Sequence, residues 1–335
     1  MGKRRFFCYN SRYNCYTEQN CNGWDCLVMT DILLATYNGG AFLQEQLDSL
    51  YAQTDKEFHI IARDDGSTDD TKEILLRNKE DHPGMLSILP DGESTGNARD
   101  NFFCLLDEST AGYVMFCDQD DRWADTKIER TKSLMLESER KFGADTPLLV
   151  HTDLIVTDNA MDLIDMSLFH MQRLESSFNT LNRMVAQNNI TGCTVMINRK
   201  LKEMVRRGDN ALMHDWWLGL IAAAFGHIVF LPESTVFYRQ HDENEVGAKD
   251  VRSGEYFRSK LADREGIKKL LADTYVQAHE FLTVYGDLLS EGQQAMLKEY
   301  INLHYYNFGK RFSTMMKYKF FKSGLLRKLG QLVFG

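Results

Sequence analysis

Residues 30–66 read TDILLATYNGGAFLQEQLDSLYAQTDKEFHIIARDDG, and the order of patterns in this stretch decides the fold. ILLAT (Ile32 to Thr36) is a short, unbroken apolar run of the kind that a strand buried on both faces requires. AFLQEQLDSLYAQ (Ala41 to Gln53) follows with Phe42, Leu43, Leu47, Leu50 and Tyr51 on one broad helical face. FHIIA (Phe58 to Ala62) is a second strand, and Ser67 or Asp69 is placed to cap the helix after it. MLSIL (Met85 to Leu89), a helix across Asn97 to Leu106 and YVMFC (Tyr113 to Cys117) continue the alternation. Strand and helix alternating in this way predict an α/β fold, a mostly parallel sheet with helices on both faces.

In such a sheet, ligands bind at the carboxyl ends of the strands. Three of those ends are polar and dense: Thr36, Tyr37, Asn38, Gly39 and Gly40 after the first, Arg63, Asp64, Asp65, Gly66 and Ser67 after the second, and Asp118, Gln119, Asp120 and Asp121 after the fourth. TYNGGAF does not supply the G-x-G-x-x-G of a dinucleotide site, and no phosphate-binding P-loop is present. Three carboxylates within four positions repel one another unless a cation or capped backbone donors stabilise them. The competing explanation is a helix cap, with Asp121 or Asp125 capping the helix from Thr126, but it leaves Asp118 and Asp120 unexplained. Oxygen ligands point to Mg2+ or Mn2+ rather than zinc. An ion held there suits a diphosphate, with Asp64 or Asp65 free to accept from a base or ribose.

Composition bounds the remaining possibilities. The chain has 335 residues, 43% hydrophobic and 26% charged, so it is long enough for a full core and is neither disordered nor polytopic in composition. The longest apolar stretch, LGLIAAAF (Leu218 to Phe225), falls far short of the roughly 20 residues that cross a bilayer. Cys8, Cys15, Cys21 and Cys26 crowd residues 1–28 without a C-x2-C pair, which makes a zinc knuckle a weak expectation. That segment has a basic start but no apolar core of a signal peptide, so it is expected to be a non-core N-terminal extension of a protein of the reducing cytoplasm. Cys104, Cys117 and Cys193 instead fall in segments that read as buried helix or strand.

Net charge is −9, yet no acidic residue follows Glu299, while Lys310, Arg311, Lys317, Lys319, Lys322, Arg327 and Lys328 do. A basic tail of +7 therefore follows an acidic body of −16. Such a tail can be a plain solvated face. Its bulky apolar residues, Met315, Phe320 and Leu329 among them, suit the surface of an anionic membrane better, and the acidic body argues against nucleic acid as a partner.

The blocks LLATYNGGAFLQEQLDSL, RDDGSTDDT, YVMFCDQDDRW, TGCTVMINR, HDWWLGLIAAAFG and FYRQH, in that order, resemble the family-2 inverting glycosyltransferases of GT-A fold, and among them the bacterial rhamnosyltransferases of cell-wall and capsular polysaccharides. The resemblance covers about Asp31 to Gly247. It implies a catalytic domain over residues 29–250; helical runs beyond it, GIKKLLADTYVQAHEFLTVY and EGQQAMLKEYINLHYY, predict a helical C-terminal extension over 251–306, and the basic and bulky apolar residues that follow predict a membrane-associating tail over 307–335. By the same resemblance, Thr36, Tyr37 and Asn38 pack on the nucleotide base, and Asp65, with Asp64 beside it, contacts base or ribose. Asp118 and Asp120 match the D-x-D pair, Asp120 being the usual direct metal ligand, and His241 matches a late histidine that completes the metal or diphosphate site. Asp215 matches the general base that deprotonates the acceptor hydroxyl.

An inverting transfer is one in-line displacement, needing a carboxylate on the acceptor side and positive charge on the leaving-group side. Asp215 fits the first need, although at the start of an apolar helix it could equally be an N-cap. Trp216 and Trp217 are either core aromatics or a face on which an acceptor glycan stacks, and His241 is either a ligand or an ordinary imidazole. Arg99 is a basic residue that either touches the diphosphate or lies on its helix, and Arg122 stands where many family members have an apolar residue. The donor implied by resemblance is dTDP-β-L-rhamnose and the acceptor a lipid-linked glycan at the inner face of the plasma membrane; a uridine-diphosphate hexose donor is the alternative. A phosphotransferase with an Asp nucleophile fits poorly, because its D-x-D follows the first strand of the domain. A catalytically inactive binding module would be expected to lack Asp120, Asp215 or His241, all of which are present. The polar stretch from Asp242 to Gly254 is expected to act as a lid.

Overall fold

The structure is a computed structural model and describes residues 29–90, 92–241, 251 and 263–334. The four front cysteines and all of the expected lid, residues 242–254, except Val251 lie outside the described residues. The described chain runs β1 (Thr30–Thr36), α1 (Leu43–Tyr51), β2 (Phe58–Asp64), α2 (Thr71–Asp81), β3 (Leu86–Ile88), α3 (Ala98–Glu108), β4 (Tyr113–Asp118), β5 (Arg122–Trp123) and α4 (Lys127–Phe142). It continues through β6 (Leu148–Thr157), β7 (Leu163–Asp165), α5 (Leu168–Gln172), α6 (Leu181–Met184), β8 (Val195–Asn198), α7 (Arg199–Glu203), α8 (His214–Phe225) and β9 (His227–Arg239). Helices α9 (Arg264–Tyr285), α10 (Glu291–Ile301), α11 (Phe308–Tyr318) and α12 (Leu325–Phe334) complete it.

The strands lie in one sheet in the order β3-β2-β1-β4-β8-β6-β9-β5, with β7 on β6. The first four are parallel, β8 is antiparallel to both β4 and β6, and β6 and β9 are parallel. Side chains alternate across the sheet as a period of two demands. Leu33, Ala35, Ile61, Val114 and Phe116 enter one core, and Ile32, Leu34, Ile60, Met115 and Cys117 enter the other. The first core also takes Phe281, Tyr285 and Tyr300 from α9 and α10, so the C-terminal helices share the core of the sheet they cover.

Two details of the chain curl the sheet onto its own functional end. β4 and β5 are joined by residues 119–121 alone, although β8, β6 and β9 separate them in the strand order. Three residues span only about 10 Å. The far edge of the sheet must therefore return to the carboxyl end of β4. The bend comes within β9, where Pro232 has no N–H to give the ladder and the β6 register jumps from Thr152↔Leu231 to Asp153↔Ser234. Beyond it, Val236 and Phe237 pair with Trp123 and Arg122. Arg122 extends its guanidinium over the Phe237 ring at 4.3 Å, so it serves this pairing.

The caps differ from the sequence expectation. Asn97 does cap α3, accepting from the Asp100 N–H at 2.9 Å. The N-cap of α2 is Asp70, whereas Asp69 accepts from Thr71 and Gly40 and Ser67 turns to Asp64 and Asn38. The N-cap of α4 is Thr126, so neither Asp121 nor Asp125 caps it.

Candidate active site

The strand order reverses between β1 and β4, which opens a crevice at their carboxyl ends. Tyr37, 58% exposed, stands at its rim and is held by its backbone alone: its N–H donates to Gln119 Oε1 and its carbonyl accepts from Gln119 Nε2, both at 2.8 Å. Gly39 is required beneath this clasp, because a Cβ there would sit 2.1 Å from Gln119 Oε1. Asn38, at φ +48°, gives its N–H to Ser67 Oγ at 2.8 Å and accepts from the Thr68 N–H at 2.9 Å. Thr36 Oγ1 donates to Asp64 Oδ1 at 3.1 Å.

The two carboxylates after β2 are buried and occupied by the protein. Asp64 accepts from the Gly66 and Ser67 N–H groups and the Ser67 hydroxyl. Asp65 accepts from Arg63 at 2.7 Å, the Thr95 N–H at 2.7 Å, the Gly96 N–H at 2.8 Å and the hydroxyls of Thr95 and Ser94. Burial opposes the charge of Asp65, but those hydrogen bonds, led by the Thr95 N–H and Arg63, outweigh it and hold the carboxyl below its usual range. Both residues thus shape the crevice wall, fastening the 94–96 loop and the 66–68 turn.

The turn between β4 and β5 separates its three carboxylates by burial. Asp121 is fully buried and accepts from the Arg239 N–H at 3.2 Å, while its Oδ2 has no hydrogen-bond partner. Burial, reinforced by Asp120 and Asp118, pushes its carboxyl well above the usual range. Oxygens of Asp118 and Asp121 and the Sγ of Cys193 lie within 4.8 Å of one another. Asp120 faces the other way, its Oδ2 lying 2.7 Å from His241 Nε2, and the His241 ring packs on Phe42 at 4.9 Å. A buried cation shares the region: Lys127 donates to Thr235 Oγ1 at 3.2 Å, and burial, opposed by Cys193, Cys117 and Asp121, pushes its pKa down to about 8. The carboxylates of Asp118 and Asp120 and the imidazole of His241 are donors of the chemistry that holds Mg2+ or Mn2+, whereas the neutral Asp121 is not one of them.

Asp215 comes into the same neighbourhood from α8. Met213 is the N-cap of that helix, and Asp215 lies inside its first turn, where Oδ1 accepts from the Trp216 N–H at 2.5 Å and from Asn188 Nδ2 at 3.2 Å. Gly192 leaves room for the His214 ring, since a Cβ there would meet His214 Nε2 at 2.7 Å, and the same point lies 3.9 Å from Asp215 Cβ. Since Cys193 is next in sequence and touches the Asp118 and Asp121 cluster, the 192–193 step links Asp215 to the acidic turn.

For three residues the sequence left two readings open, and the structure takes the plainer one. Trp217 is fully buried, edge-on to Phe281 at 5.4 Å, with its N–H on the Arg206 carbonyl at 2.9 Å. Trp216 is buried too and donates to the Met184 carbonyl at 2.6 Å. Both indoles are therefore core side chains rather than a surface for an acceptor. Arg99 grips Asp100 with two nitrogens and donates to the carbonyls of Ala211 at 2.6 Å and Asp209 at 3.1 Å, fastening the loop ahead of α8.

Arg239 was quoted in the FYRQH block but given no role. It is 4% exposed and donates to the Asp120 carbonyl at 2.9 Å, the Asn159 carbonyl at 2.7 Å and the Glu45 carboxylate. It thereby clamps the acidic turn to α1 and β9. An arginine two residues before a histidine at a strand end is its signal in the sequence.

Comparison with known proteins agrees with this architecture. The profile of the family described as Glycosyl transferase family 2 matches residues 31–149. A dTDP-rhamnosyl transferase, RfbG of Shigella flexneri, is 27% identical over 248 residues, covering 70% of this chain and 81% of the relative. The UDP-Glc:alpha-D-GlcNAc-diphosphoundecaprenol beta-1,3-glucosyltransferase WfaP of Escherichia coli is 30% identical over 131 residues, covering 39% and 50%. Among solved structures, S. aureus TarS 1-349 in complex with UDP-GlcNAc superposes with a TM-score of 0.55 at 14% identity, covering 87% of this chain and 80% of that one. Residues 31–149 thus match the model of Glycosyl transferase family 2, and the chain has the GT-A fold.

Proposed function

We propose that the protein transfers L-rhamnose from dTDP-β-L-rhamnose, with inversion, to a hydroxyl of a lipid-linked glycan during synthesis of a cell-wall or capsular polysaccharide. The observation that carries the transfer is the acidic turn at the carboxyl end of β4, where Asp118 lies beside Asp121 and Cys193 and Asp120 meets His241 at 2.7 Å, with Asp215 next to Gly192, one residue before Cys193. The dTDP-rhamnosyl relative, similar over most of both chains, supports the donor.

In this reading the base of the nucleotide packs against Tyr37 and the Thr36–Asn38 loop, whose exposed ring and fixed backbone suit it. Asp64 and Asp65 act by holding that wall. Asp118, Asp120 and His241 would hold Mn2+ or Mg2+, which supplies positive charge beside the diphosphate. Asp215 takes the proton of the acceptor hydroxyl, and Asn188 and the helix start orient its carboxylate. The protein would then act as a peripheral enzyme on the inner face of the plasma membrane. A uridine-diphosphate hexose donor is the second reading, favoured by the glucosyltransferase relative.

The test is calorimetric binding of dTDP against UDP, each with and without Mn2+, on wild type and Asp120→Ala, followed by transfer assays with Asp215→Asn. Metal-dependent binding of dTDP that Asp120→Ala removes, and turnover that Asp215→Asn lowers at least 10³-fold, are expected. A preference for UDP overturns the donor. No metal-dependent binding of either nucleotide overturns the enzyme reading itself.

A further inference from the structure

The C-terminal tail is not the loose basic extension that composition allowed. Met315, Phe320 and Leu303 are fully buried and close the first core, and Arg311 donates to the carbonyls of Leu303 and Tyr306. What remains outside is selective. In α11, Phe308, Phe312 and Met316 are 64%, 45% and 54% exposed, and their spacing of four puts them on one side of the helix. Tyr305, just before the helix, is 76% exposed. Thr314 and Met315 face the protein, so α11 is anchored by one side and presents the other.

We propose that this stripe of Tyr305, Phe308, Phe312 and Met316 docks on an anionic lipid surface. Lys310 and Lys317 are exposed on the same helix, about a third of a turn beyond the stripe, with Lys319 at its end. Aliphatic and aromatic side chains along one edge of a helix and long basic side chains along the other are what a helix lying in the headgroup region needs. No acidic residue occurs from Tyr300 to Gly335, whereas the rest of the chain carries −16, so an anionic surface attracts this face and repels the remainder. The same charge pattern argues against a second copy meeting this stripe symmetrically, since basic would face basic. No described helix is long and apolar enough to cross a membrane, which leaves surface attachment as the mode this face offers. The proposal does not depend on glycosyl transfer.

The experiment is co-sedimentation of the full chain with phosphatidylglycerol vesicles and with phosphatidylcholine vesicles, at low and high salt. The variants are Phe308→Ser/Phe312→Ser/Met316→Ser and Lys310→Glu/Lys317→Glu, whose exposed sites predict unchanged melting temperatures. Expected are binding to the anionic vesicles only, weakening with salt, and losses of at least tenfold in each variant, since each basic residue near such a surface contributes roughly fivefold in partitioning. Wild type that ignores phosphatidylglycerol, or variants that bind like wild type, would overturn the proposal. So would a dimer in analytical ultracentrifugation that the apolar variant converts to monomer. If the serine variant melts early, the lysine pair alone decides.

Discussion

Trp217→Ala separates a core side chain from an acceptor platform. The ring has no exposed area, meets Phe281 and Tyr285 at 5.4 and 6.1 Å, and lies so close to Gly208 that a Cβ there would approach it to 2.6 Å. A side chain of this size buries about 200 Å². At about 25 cal/mol per Å² its removal costs about 5 kcal/mol, at the upper end of the ~3–5 kcal/mol measured for such truncations. The lost N–H bond adds little, because the Arg206 carbonyl also accepts from the Tyr285 hydroxyl at 3.3 Å. Partial collapse of the site lowers the figure, so about 4 kcal/mol is expected. In a chain of this length that is a fall in Tm of about 6 °C.

Urea denaturation measures the first quantity and acceptor titration at a temperature well below the transition measures the second. A core residue gives a large stability loss with the acceptor KM changed less than about twofold. A platform gives the reverse, because losing a stacking face weakens binding about tenfold while leaving the fold intact. A Tm within about 2 °C of wild type together with a tenfold rise in KM would refute the packing argument.

Arg239→Met should remove about 3 kcal/mol of stability, since two buried carbonyls lose charged donors, and should weaken metal-dependent nucleotide binding by loosening the Asp120 turn; unaltered calorimetric binding would show that the clamp is dispensable. Gln277 lies in α9, and its Oε1 accepts from the Leu212 N–H at 2.8 Å, bracing the loop that leads into α8. Gln277→Leu should cost about 1–2 kcal/mol and lower kcat more than it raises the donor KM; equal effects on both would place its influence elsewhere. His151 is buried between Phe169 and Phe230 with neither ring nitrogen hydrogen-bonded, and burial pushes its pKa down to about 3. Its folded value lies below the unfolded 6.5, so the stability it contributes is complete above pH 6.5 and is lost as pH falls toward 3. His151→Phe should therefore flatten the acid limb of stability by about 1.4 kcal/mol per pH unit, leaving a similar slope from His214, and an unchanged slope would mean that His151 is protonated or solvated in the fold.

The parallel half of the sheet was legible because each of its elements is local: β1, β2 and β4 are apolar runs, and α1 carries its own periodicity. The acidic turn was legible because three carboxylates in four residues are costly wherever they fall. What escaped depends on distant partners. Arg239 acquires its role from carbonyls 119 and 80 residues away, brought to it by the bend at Pro232. Trp216 and Trp217 were ambiguous because an apolar helix gives no periodicity to separate a buried ring from a presented one, and their partners are distant, Met184 for Trp216 and Phe281 and Tyr285 for Trp217. In the tail, composition could count basic and bulky residues but could not say that Met315 and Phe320 turn inward while Phe308, Phe312 and Met316 do not.

The curl of the sheet also explains how the chain tolerates that acidic turn. If all three carboxylates faced the crevice they would share a net charge of about −3 in one corner, which desolvation and mutual repulsion would oppose. The return of β9 divides them. It buries Asp121 beneath the Arg239 N–H, where burial favours the uncharged acid, and it seats the Arg239 guanidinium on the Asp120 carbonyl and His241 on the Asp120 carboxylate. Asp120 then meets the imidazole on one side of the turn, Asp118 stays beside Asp121 and Cys193, and Asp121 serves as a pin between β5 and β9. The same strand that closes the fold thus sets which carboxylates remain available for a ligand. A substitution that straightens β9 is for that reason expected to disturb the site before it disturbs the parallel core, which holds through β1, β2 and β4 without it.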